Sequence, residues 1–301
     1  MKPQSHRGAS GLLVLNKPQG ITSRRALDEA QRWFPGVRLG HAGTLDPLAT
    51  GVLVVCLGQA TRFVEYVQRM PKSYKATFRL GAFSTTDDAD GEIEPIANPR
   101  RPSAFEMDSA LAGFIGEIEQ VPPTFSAAHV EGRRAHKLAR RGEQVELQPR
   151  RVRIDNIEVL RYQYPELEVI IDCGKGTYIR SIARDLGRRL GCGGYVGKLE
   201  RLRIGPFRIE DAVPLTADAE DAQARVLPAW AALAEMPRVI LNAEQARRLR
   251  LGQRLPWPGP VETSEREVLA VDELGRIVAI AGWSERTQVL APHKVLVEED
   301  G

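Results

Sequence analysis

Runs and alternations of apolar residues predict a chain in which strands and helices are mixed. Two short runs are continuously apolar and two longer stretches alternate apolar with polar residues, as buried and half-buried strands do. These strands are predicted at residues 12–15, 52–57, 74–80 and 167–173. A helical period follows Thr22 or Ser23 and stops before Pro35, and a second one covers residues 179–190. The pattern therefore predicts a mixed α+β fold.

The composition changes near residues 215–236, where Ala, Asp and Glu together with two prolines predict a connecting helix and linker. Beyond it, a short basic helix at 243–251 precedes two apolar strands, 268–271 and 277–281, which a Glu-Leu-Gly turn joins as a hairpin. We therefore expect a large domain at residues 1–236 and a small β-domain at 237–301.

Composition excludes several classes of protein. The 301 residues are 43% hydrophobic and 27% charged, which is typical of a globular protein. No apolar stretch approaches the roughly 20 residues that cross a bilayer, and the first residues lack the apolar core of a signal peptide, so we expect a cytoplasmic protein without membrane contact. The three cysteines have no C-x-x-C spacing and the five histidines are scattered, so we expect no metal. Walker and G-x-G-x-x-G spacings are missing, so no nucleotide cofactor is expected.

Charge is small overall but unevenly distributed. The net charge is +3, whereas residues 129–153 carry eight cations and three carboxylates, a local excess that suits a polyanion such as RNA. A solvated surface is the alternative reading of such a run. Acidic residues gather instead between Asp87 and Glu94, where we expect a solvated turn around Gly91.

One carboxylate, Asp46, has an unusual setting. It lies in the run Gly40-His41-Ala42-Gly43-Thr44-Leu45-Asp46-Pro47-Leu48-Ala49-Thr50-Gly51. Glycines and a proline predict a tight, exposed loop that leads into the strand beginning near Val52. Taken alone, Asp46 could simply cap backbone amides in this turn.

The full run resembles the catalytic motif of the pseudouridine synthases of the TruB class, which isomerise uridine 55 in the T-loop of tRNA. Further motifs of that family occur on both sides of this run, in the family's order, along residues 12–207. The matching segments are Asn16-Lys17-Pro18-Gln19-Gly20-Ile21-Thr22-Ser23, then Lys72-Ser73-Tyr74-Lys75 followed by Leu80-Gly81 and Thr86-Asp87-Asp88-Ala89-Asp90-Gly91, then Gly176-Thr177-Tyr178-Ile179-Arg180-Ser181, and Gly191-Cys192-Gly193 through Leu199-Glu200-Arg201-Leu202. The tail from about Arg238 resembles a PUA domain, a small RNA-binding barrel. The resemblance implies a catalytic domain with a central, largely antiparallel sheet, followed by this small barrel.

The resemblance also implies roles for individual residues. Asp46 would act at the ribose, and Arg180 would be its ion-pair partner. Tyr74 would stack on the uracil and would serve as, or assist, the base that takes the C5 proton. Leu199 would pack the pocket wall, and His41 would fill the stack that the flipped base leaves. Lys17 and Tyr178 would be further substrate-binding residues.

The reaction breaks the N1–C1′ bond and rejoins the base through C5, so it requires no redox cofactor, ATP or metal. An ionised Asp can attack C1′ or can assist a glycal route by removing the 2′ proton, and the sequence leaves both routes open.

Residues 122–153 resemble the family's RNA-binding thumb. Its expected contacts are Arg133, Arg134, Lys137, Arg140 and Arg141. Phe125, His129 and His136 depart from the family pattern, in which we expect Tyr, Lys and Tyr.

Two alternatives remain open. One is the guide-dependent Cbf5/dyskerin type, against which Ala42 and residues 48–50 favour the stand-alone bacterial form. The other is an RNA-binding or RNA-folding protein in which Asp46 is idle. The favoured reading predicts a monomer that acts on the T-arm of tRNA without a guide RNA or protein partner.

Overall fold

The computed structural model describes residues 10–125, 129–130, 133–134, 147–257, 267–284 and 286–295, and for the two short pairs it describes the backbone only. The chain forms two compact units, Met1–Ala229 and Trp230–Gly301. Within the described ranges, every helix is too short or too polar to span a bilayer.

A ten-stranded sheet forms the centre of the larger unit. The strands of this unit are β1 (Gly11–Lys17), β2 (Leu39–Ala42), β3 (Thr50–Leu57), β4 (Lys72–Leu80), β5 (Ala82–Ser84), β6 (Ile93–Pro95), β7 (Gly116–Gln120), β8 (His129–Val130), β9 (Arg133–Arg134), β10 (Arg150–Gln163), β11 (Glu166–Cys173), β12 (Gly194–Ile204), β13 (Phe207–Arg208) and β14 (Val213–Pro214). The sheet order is β14-β1-β3-β12-β4-β11-β10-β7, with β2 beside β3 and β13 beside β12. Within the described part of this ten-stranded sheet, only the pairs β1–β14 and β3–β12 are parallel, which confirms a largely antiparallel sheet.

The helices of this unit cover the sheet. They are α1 (Ser23–Ala30), α2 (Val64–Arg69), α3 (Ala104–Ala112), α4 (Ile179–Leu190) and α5 (Ala219–Ala224), with 3-10 turns at Gln31–Trp33, Gly58–Phe63 and Ile209–Asp211. The Thr22 hydroxyl accepts a hydrogen bond from the Arg25 N–H at 3.1 Å and so begins α1. Trp33 and Leu27 pack with Leu53 and Val55 of β3 in one apolar cluster, so the continuous apolar run of β3 is a buried strand, as predicted.

Helix α4 confirms the predicted apolar face, and it also buries two charges. Ile179, Ile182 and Leu186 are at most 3% exposed. Arg180 and Arg184, on the polar side of the helical period, are buried as well. They are buried because carboxylates of the turn after β5 meet them there.

The acidic turn corrects an expectation. Asp88 was expected on a solvated turn, but it is 3% exposed, and the Asp87 side chain is 15% exposed. Asp87 adopts a left-handed φ of 61°, and its carboxylate lies 3.0 Å from an Arg184 nitrogen. Arginines more than ninety positions later in the chain compensate these charges, so local sequence could not reveal the burial.

The smaller unit is a curled five-stranded sheet with one regular helix among its described residues. Its elements are β15 (Arg238–Leu241), α6 (Ala243–Arg250), β16 (Leu255–Pro256), β17 (Glu267–Asp272), β18 (Ile277–Ser284) and β19 (Val289–Val295), in the sheet order β15-β17-β18-β19-β16, with a 3-10 turn at Ala229–Leu233. Strands β17 and β18 form the predicted antiparallel hairpin, and α6 is the predicted basic helix.

Candidate active site

Asp46 lies on the loop between β2 and β3, and hydrogen bonds hold this loop on both sides of the residue. The Ser23 hydroxyl accepts the Leu45 N–H at 2.8 Å and donates to the Leu45 carbonyl at 3.1 Å. The Pro47 carbonyl accepts the Gly20 N–H at 2.8 Å. Leu45 itself is buried, whereas the Asp46 side chain remains 35% exposed. The loop therefore presents a carboxylate from a fixed backbone.

Arg180, the second residue of α4, connects two carboxylates. Its Nη2 lies 3.0 Å from Oδ2 of Asp46, and its Nη1 lies 3.4 Å from Oδ2 of Asp88. The same nitrogens donate to the carbonyls of Thr86 (2.9 Å) and Phe125 (3.0 Å). The Arg180 side chain is only 4% exposed, so these four contacts fix where its charge lies. This geometry therefore fixes the direction of the Asp46 carboxylate.

The surroundings of Asp88 disfavour its ionised form on balance. Burial raises its pKa above the ordinary value, and the negative charge of Asp46 acts in the same direction. Hydrogen bonds from the Thr86 hydroxyl (2.5 Å) and the Asp90 N–H (3.1 Å), together with Arg180, act in the opposite direction. Arg180 thus divides its charge between a buried and a partly exposed anion.

A cavity of about 600 Å³ opens at the Asp46–Arg180 pair, and five of the predicted site residues line it. These residues are Asp46, Tyr74, Tyr178, Arg180 and Leu199. Tyr178 is held by the Arg150 guanidinium, which lies 4.5 Å from the ring centroid and donates to the Gly176 carbonyl. Tyr74 and Leu199 come from neighbouring strands, β4 and β12, and each is 8% exposed. The sheet and the α4 terminus therefore meet at one cavity.

Tyr74 has an environment that opposes ionisation on balance. Burial raises its pKa, and the Asp46 carboxylate adds to this effect. The charge of Arg201 and a hydrogen bond from its guanidinium act in the opposite direction. Arg201 also lines the cavity and is 1% exposed.

Two predicted residues do not line the cavity. Lys17 is fully buried, and its Nζ donates to the carbonyls of Pro18 and Ile21, both at 2.8 Å. Burial lowers the pKa of Lys17 to about 8, with the Asp46 carboxylate acting in the opposite direction. His41 is half-buried on β2, opposite Val55 of β3. Lys17 therefore lies behind the Asp46 loop, with its amino group turned to backbone carbonyls.

The predicted thumb lies largely outside the described residues. Arg133 and Arg134 form β9, which pairs with β8, and Lys137, Arg140 and Arg141 lie outside the described residues. At its two described ends, Phe125 and Arg150 line the cavity, so the segment starts and ends at the site.

Sequence reasoning missed several residues at this cavity, namely Lys72, Asp88, Arg150 and Arg201. Lys72 and Arg201 belong to the quoted motifs, so their position beside Tyr74 and Leu199 was the available signal. In the described part of the chain, no three His, Cys, Asp or Glu side chains group as metal ligands.

The fold is the pseudouridine synthase fold. The protein superposes on one chain of a crystal structure of a Cbf5–Nop10–Gar1 complex with a TM-score of 0.74 and 23% sequence identity. The superposition covers 95% of this chain and 84% of the other chain. This likeness shows the fold.

Comparison with related sequences identifies the family. The family model described as TruB family pseudouridylate synthase (N terminal domain) matches residues 31–179, and the tRNA pseudouridylate synthase B C-terminal domain model matches 180–246. The tRNA pseudouridine synthase B of Cereibacter sphaeroides is 45% identical over 87% of both chains. That of Xanthomonas oryzae pv. oryzae is 44% identical over 85% of both. This chain belongs to the TruB family of pseudouridylate synthases.

Proposed function

We propose that this protein isomerises a uridine of tRNA to pseudouridine, and that the uridine is position 55 in the T-arm. The observation that carries the proposal is the Asp46–Arg180 pair, 3.0 Å apart, in a cavity that Tyr74 also lines. The relatives' name, tRNA pseudouridine synthase B, supports the substrate class. Position 55 rests on the resemblance of the residue 40–51 run to the family's catalytic motif.

Asp46 begins the reaction in this proposal. Its carboxylate either attacks C1′ or removes the 2′ proton, and either step breaks the bond between N1 and C1′. Arg180 pairs with the carboxylate and keeps it directed towards the cavity, since the guanidinium is buried and fixed by two backbone carbonyls.

Tyr74 and Leu199 act on the base. Tyr74 stacks on the uracil and takes or helps to take the C5 proton once C5 has bonded to C1′. Leu199 provides an apolar wall against which the base turns. A uridine stacked in a T-loop must first flip out, at a cost of a few kcal/mol. We propose His41 for the vacated stack, while the burial of Lys17 favours an indirect role for that residue, behind the Asp46 loop.

RNA contacts outside the cavity are proposed for two parts of the chain. The first is the thumb-like segment at about 122–153, with Arg133, Arg134, Lys137, Arg140 and Arg141 against phosphates. Tyr178, held under Arg150, would extend this surface to the cavity. The second is a PUA-like domain at 237–301, which the curled sheet and the exposed arginines of α6 support. The proposed boundary falls a few residues after the smaller compact unit begins.

The enzyme is proposed to act as a monomer in the cytoplasm, without a guide RNA or protein partner. The sequence similarity to relatives named tRNA pseudouridine synthase B supports the part of this proposal that concerns a stand-alone enzyme.

The decisive experiment incubates purified protein with an unmodified tRNA transcript alone and maps pseudouridine by position. We expect pseudouridine at position 55, and none in a transcript that carries cytidine there. Asp46→Asn is expected to be inactive, while the control Asp172→Asn, which alters an ion pair with Arg203 away from the cavity, keeps its activity. Modification only after a guide RNA is added would support the Cbf5-like alternative, and binding without turnover would support an RNA-binding protein.

The thumb is tested through the salt dependence of binding. Each lost phosphate contact lowers the slope of log affinity against log salt by about 0.7 to 0.9. Replacing four arginines by glutamine, at Arg133, Arg134, Arg140 and Arg141, should flatten that slope by up to roughly 3. The catalytic step at saturating RNA should change much less. Unchanged affinity and slope would make the charge excess a solvated surface.

A further inference from the structure

Arg201 is a buried cation whose guanidinium is not matched by a carboxylate. It lies on β12 and is 1% exposed, yet among the described residues no carboxylate lies within ion-pair distance of it. Its Nε donates to the Val52 carbonyl at 2.7 Å, and its Nη2 donates to the Gly43 carbonyl at 3.2 Å. A buried charge without a counter-ion is costly, so its retention calls for a physical reason.

The backbone brings Arg201 close to both halves of the site. In the sheet, Arg201 is the cross-strand partner of Tyr74 in β4 and of Gly51 in β3. Gly51 has a left-handed φ of 97°, and a Cβ at this position would come within 2.3 Å of the Arg201 carbonyl oxygen. Glycine therefore permits β3, which follows the Asp46 loop, to approach β12 at this residue.

The remaining donors of the guanidinium are available to Tyr74. Arginine has five N–H donors, and two of them are used on the backbone carbonyls above. Tyr74 is the cross-strand neighbour of Arg201 in the sheet, and the charge and hydrogen bonding of the guanidinium lower the pKa of the Tyr74 phenol. Both side chains line the cavity, so this contact faces the place where the base would lie.

We propose that Arg201 is a positioning residue that fixes the Tyr74 hydroxyl and provides the positive charge with which Tyr74 takes the proton from C5. The inference deepens the proposed function and rests on it. Tyr74 first loses its phenolic proton to water. After C5 has bonded to C1′, the C5–H bond breaks and its electron pair forms the C5–C6 double bond, while the pair of the C6–N1 double bond moves to N1, which takes a proton from water. The C5 proton passes to the phenolate oxygen of Tyr74. No other reactant is consumed. Arg201 touches Tyr74 and the Gly43 carbonyl, and it favours the phenolate by charge and hydrogen bonding.

The charged and titratable groups around Tyr74 set the direction of the expected pH dependence. Burial is the largest influence and raises the pKa of Tyr74, and Asp46 and Cys173 add to it, whereas Arg201 alone among them lowers it. Cys173 stays neutral because burial raises its own pKa to about 12. Removing Arg201 therefore raises the pKa of Tyr74 further, so proton removal should need a higher pH.

The test measures release of tritium from C5 of the target uridine, in single turnover, from pH 6 to 9.5. Arg201→Gln should slow release about 10- to 100-fold at pH 7, and the ratio to wild type should stay constant up to pH 9.5, because burial keeps the pKa of Tyr74 above this range in both proteins. Deuterium in place of hydrogen at C5 of the target uridine should then slow the single-turnover reaction of this variant. The matched control, Arg203→Gln, removes a half-exposed ion pair two residues further along β12 and should keep the wild-type profile.

A loss of release without a deuterium isotope effect would show that Arg201 only supports the Asp46 loop. If Arg201→Gln does not fold, Arg201→Lys takes its place, since lysine keeps the positive charge but lacks the planar array of donors of the guanidinium. Difluorotyrosine at position 74, whose phenol ionises more readily, should restore release in Arg201→Lys, and failure to do so overturns the inference. Wild-type protein that makes no pseudouridine would refute the proposed function instead.

Discussion

Replacing Arg180 by methionine tests how the site divides one positive charge between two carboxylates. The variant keeps a side chain of similar length but leaves Asp46 and Asp88 without their counter-charge. The Asp46 side chain is 35% exposed, so water relieves much of its loss, whereas the Asp88 side chain is 5% exposed. The penalty should therefore come mainly from Asp88.

The magnitude follows from the burial of that pair. Removing one partner of a buried ion pair costs about 3–5 kcal/mol, because the other charge remains buried. In a unit of this size, such a loss lowers Tm by on the order of 10 °C. Adding Asp88→Asn removes the stranded charge and keeps acceptors for the Thr86 and Asp90 donors, so it should recover about 1–3 kcal/mol. Without Arg180, no guanidinium holds the Asp46 carboxylate in place in the double variant, so its single-turnover rate should stay low.

The pH dependence has a definite sign. Burial already raises the pKa of Asp88, and loss of Arg180 raises it further. A carboxyl group with a raised folded-state pKa binds protons more readily when folded, so acid lessens its cost. The stability deficit of Arg180→Met should therefore be smaller at pH 5 than at pH 8.

The assay combines thermal unfolding with single-turnover pseudouridine formation for both single variants and the double variant. Arg184→Met is the matched control, since Arg184 lies one turn further along α4, is 9% exposed, and pairs with Asp87 and Asp185. It should lose comparable stability but much less of the rate. Recovery of the rate together with stability in the double variant would refute a direct role of Arg180 in aiming Asp46.

Three further predictions follow from the same geometry. Asp46→Asn should abolish isomerisation while tRNA affinity, measured by filter binding, stays within a few-fold, because phosphate contacts dominate binding. Substantial remaining turnover would contradict the mechanism. Tyr74→Phe should bind tRNA normally but stall at proton removal, and unchanged single-turnover kinetics would reduce Tyr74 to a packing residue. Burial lowers the pKa of Lys17 to about 8, so the folded state loses this proton first and stability gains as pH rises above 8. Chemical denaturation should show wild type gaining about 1 kcal/mol relative to Lys17→Met between pH 7 and 9, and a constant difference would contradict the buried ammonium.

The sequence predicted elements well where one face carries a regular period. Strand β3 and helix α4 were found from apolar spacing alone, because both pack an unbroken apolar face into a core. Strand β10, fourteen residues long, was not predicted. Register shifts between Ile154 and Asn156 and between Val159 and Arg161 interrupt its pairing with β11, and such bulges break the two-residue alternation that identifies a strand.

The same limit explains which site residues were found. Asp46, Tyr74 and Arg180 were recognised through motifs, whereas their electrostatic partners depend on contacts distant in sequence. Asp88 looks like a surface acid until α4 brings Arg180 within 3.4 Å of it.

Arg201 shows why charge in a motif should be interpreted with its strand neighbours. On sequence alone it is one of several arginines near the end of the larger unit, and alternating burial along β12 could have placed it in solvent. Pairing with β3 and β4 instead encloses it between Gly51 and Tyr74. Its two backbone contacts hold the start of the Asp46 loop and the start of β3, and its third neighbour is the hydroxyl of the proposed base. One buried guanidinium therefore lies between the residue proposed to open the reaction and the residue proposed to close it, so replacing Arg201 should disturb the two steps to different degrees.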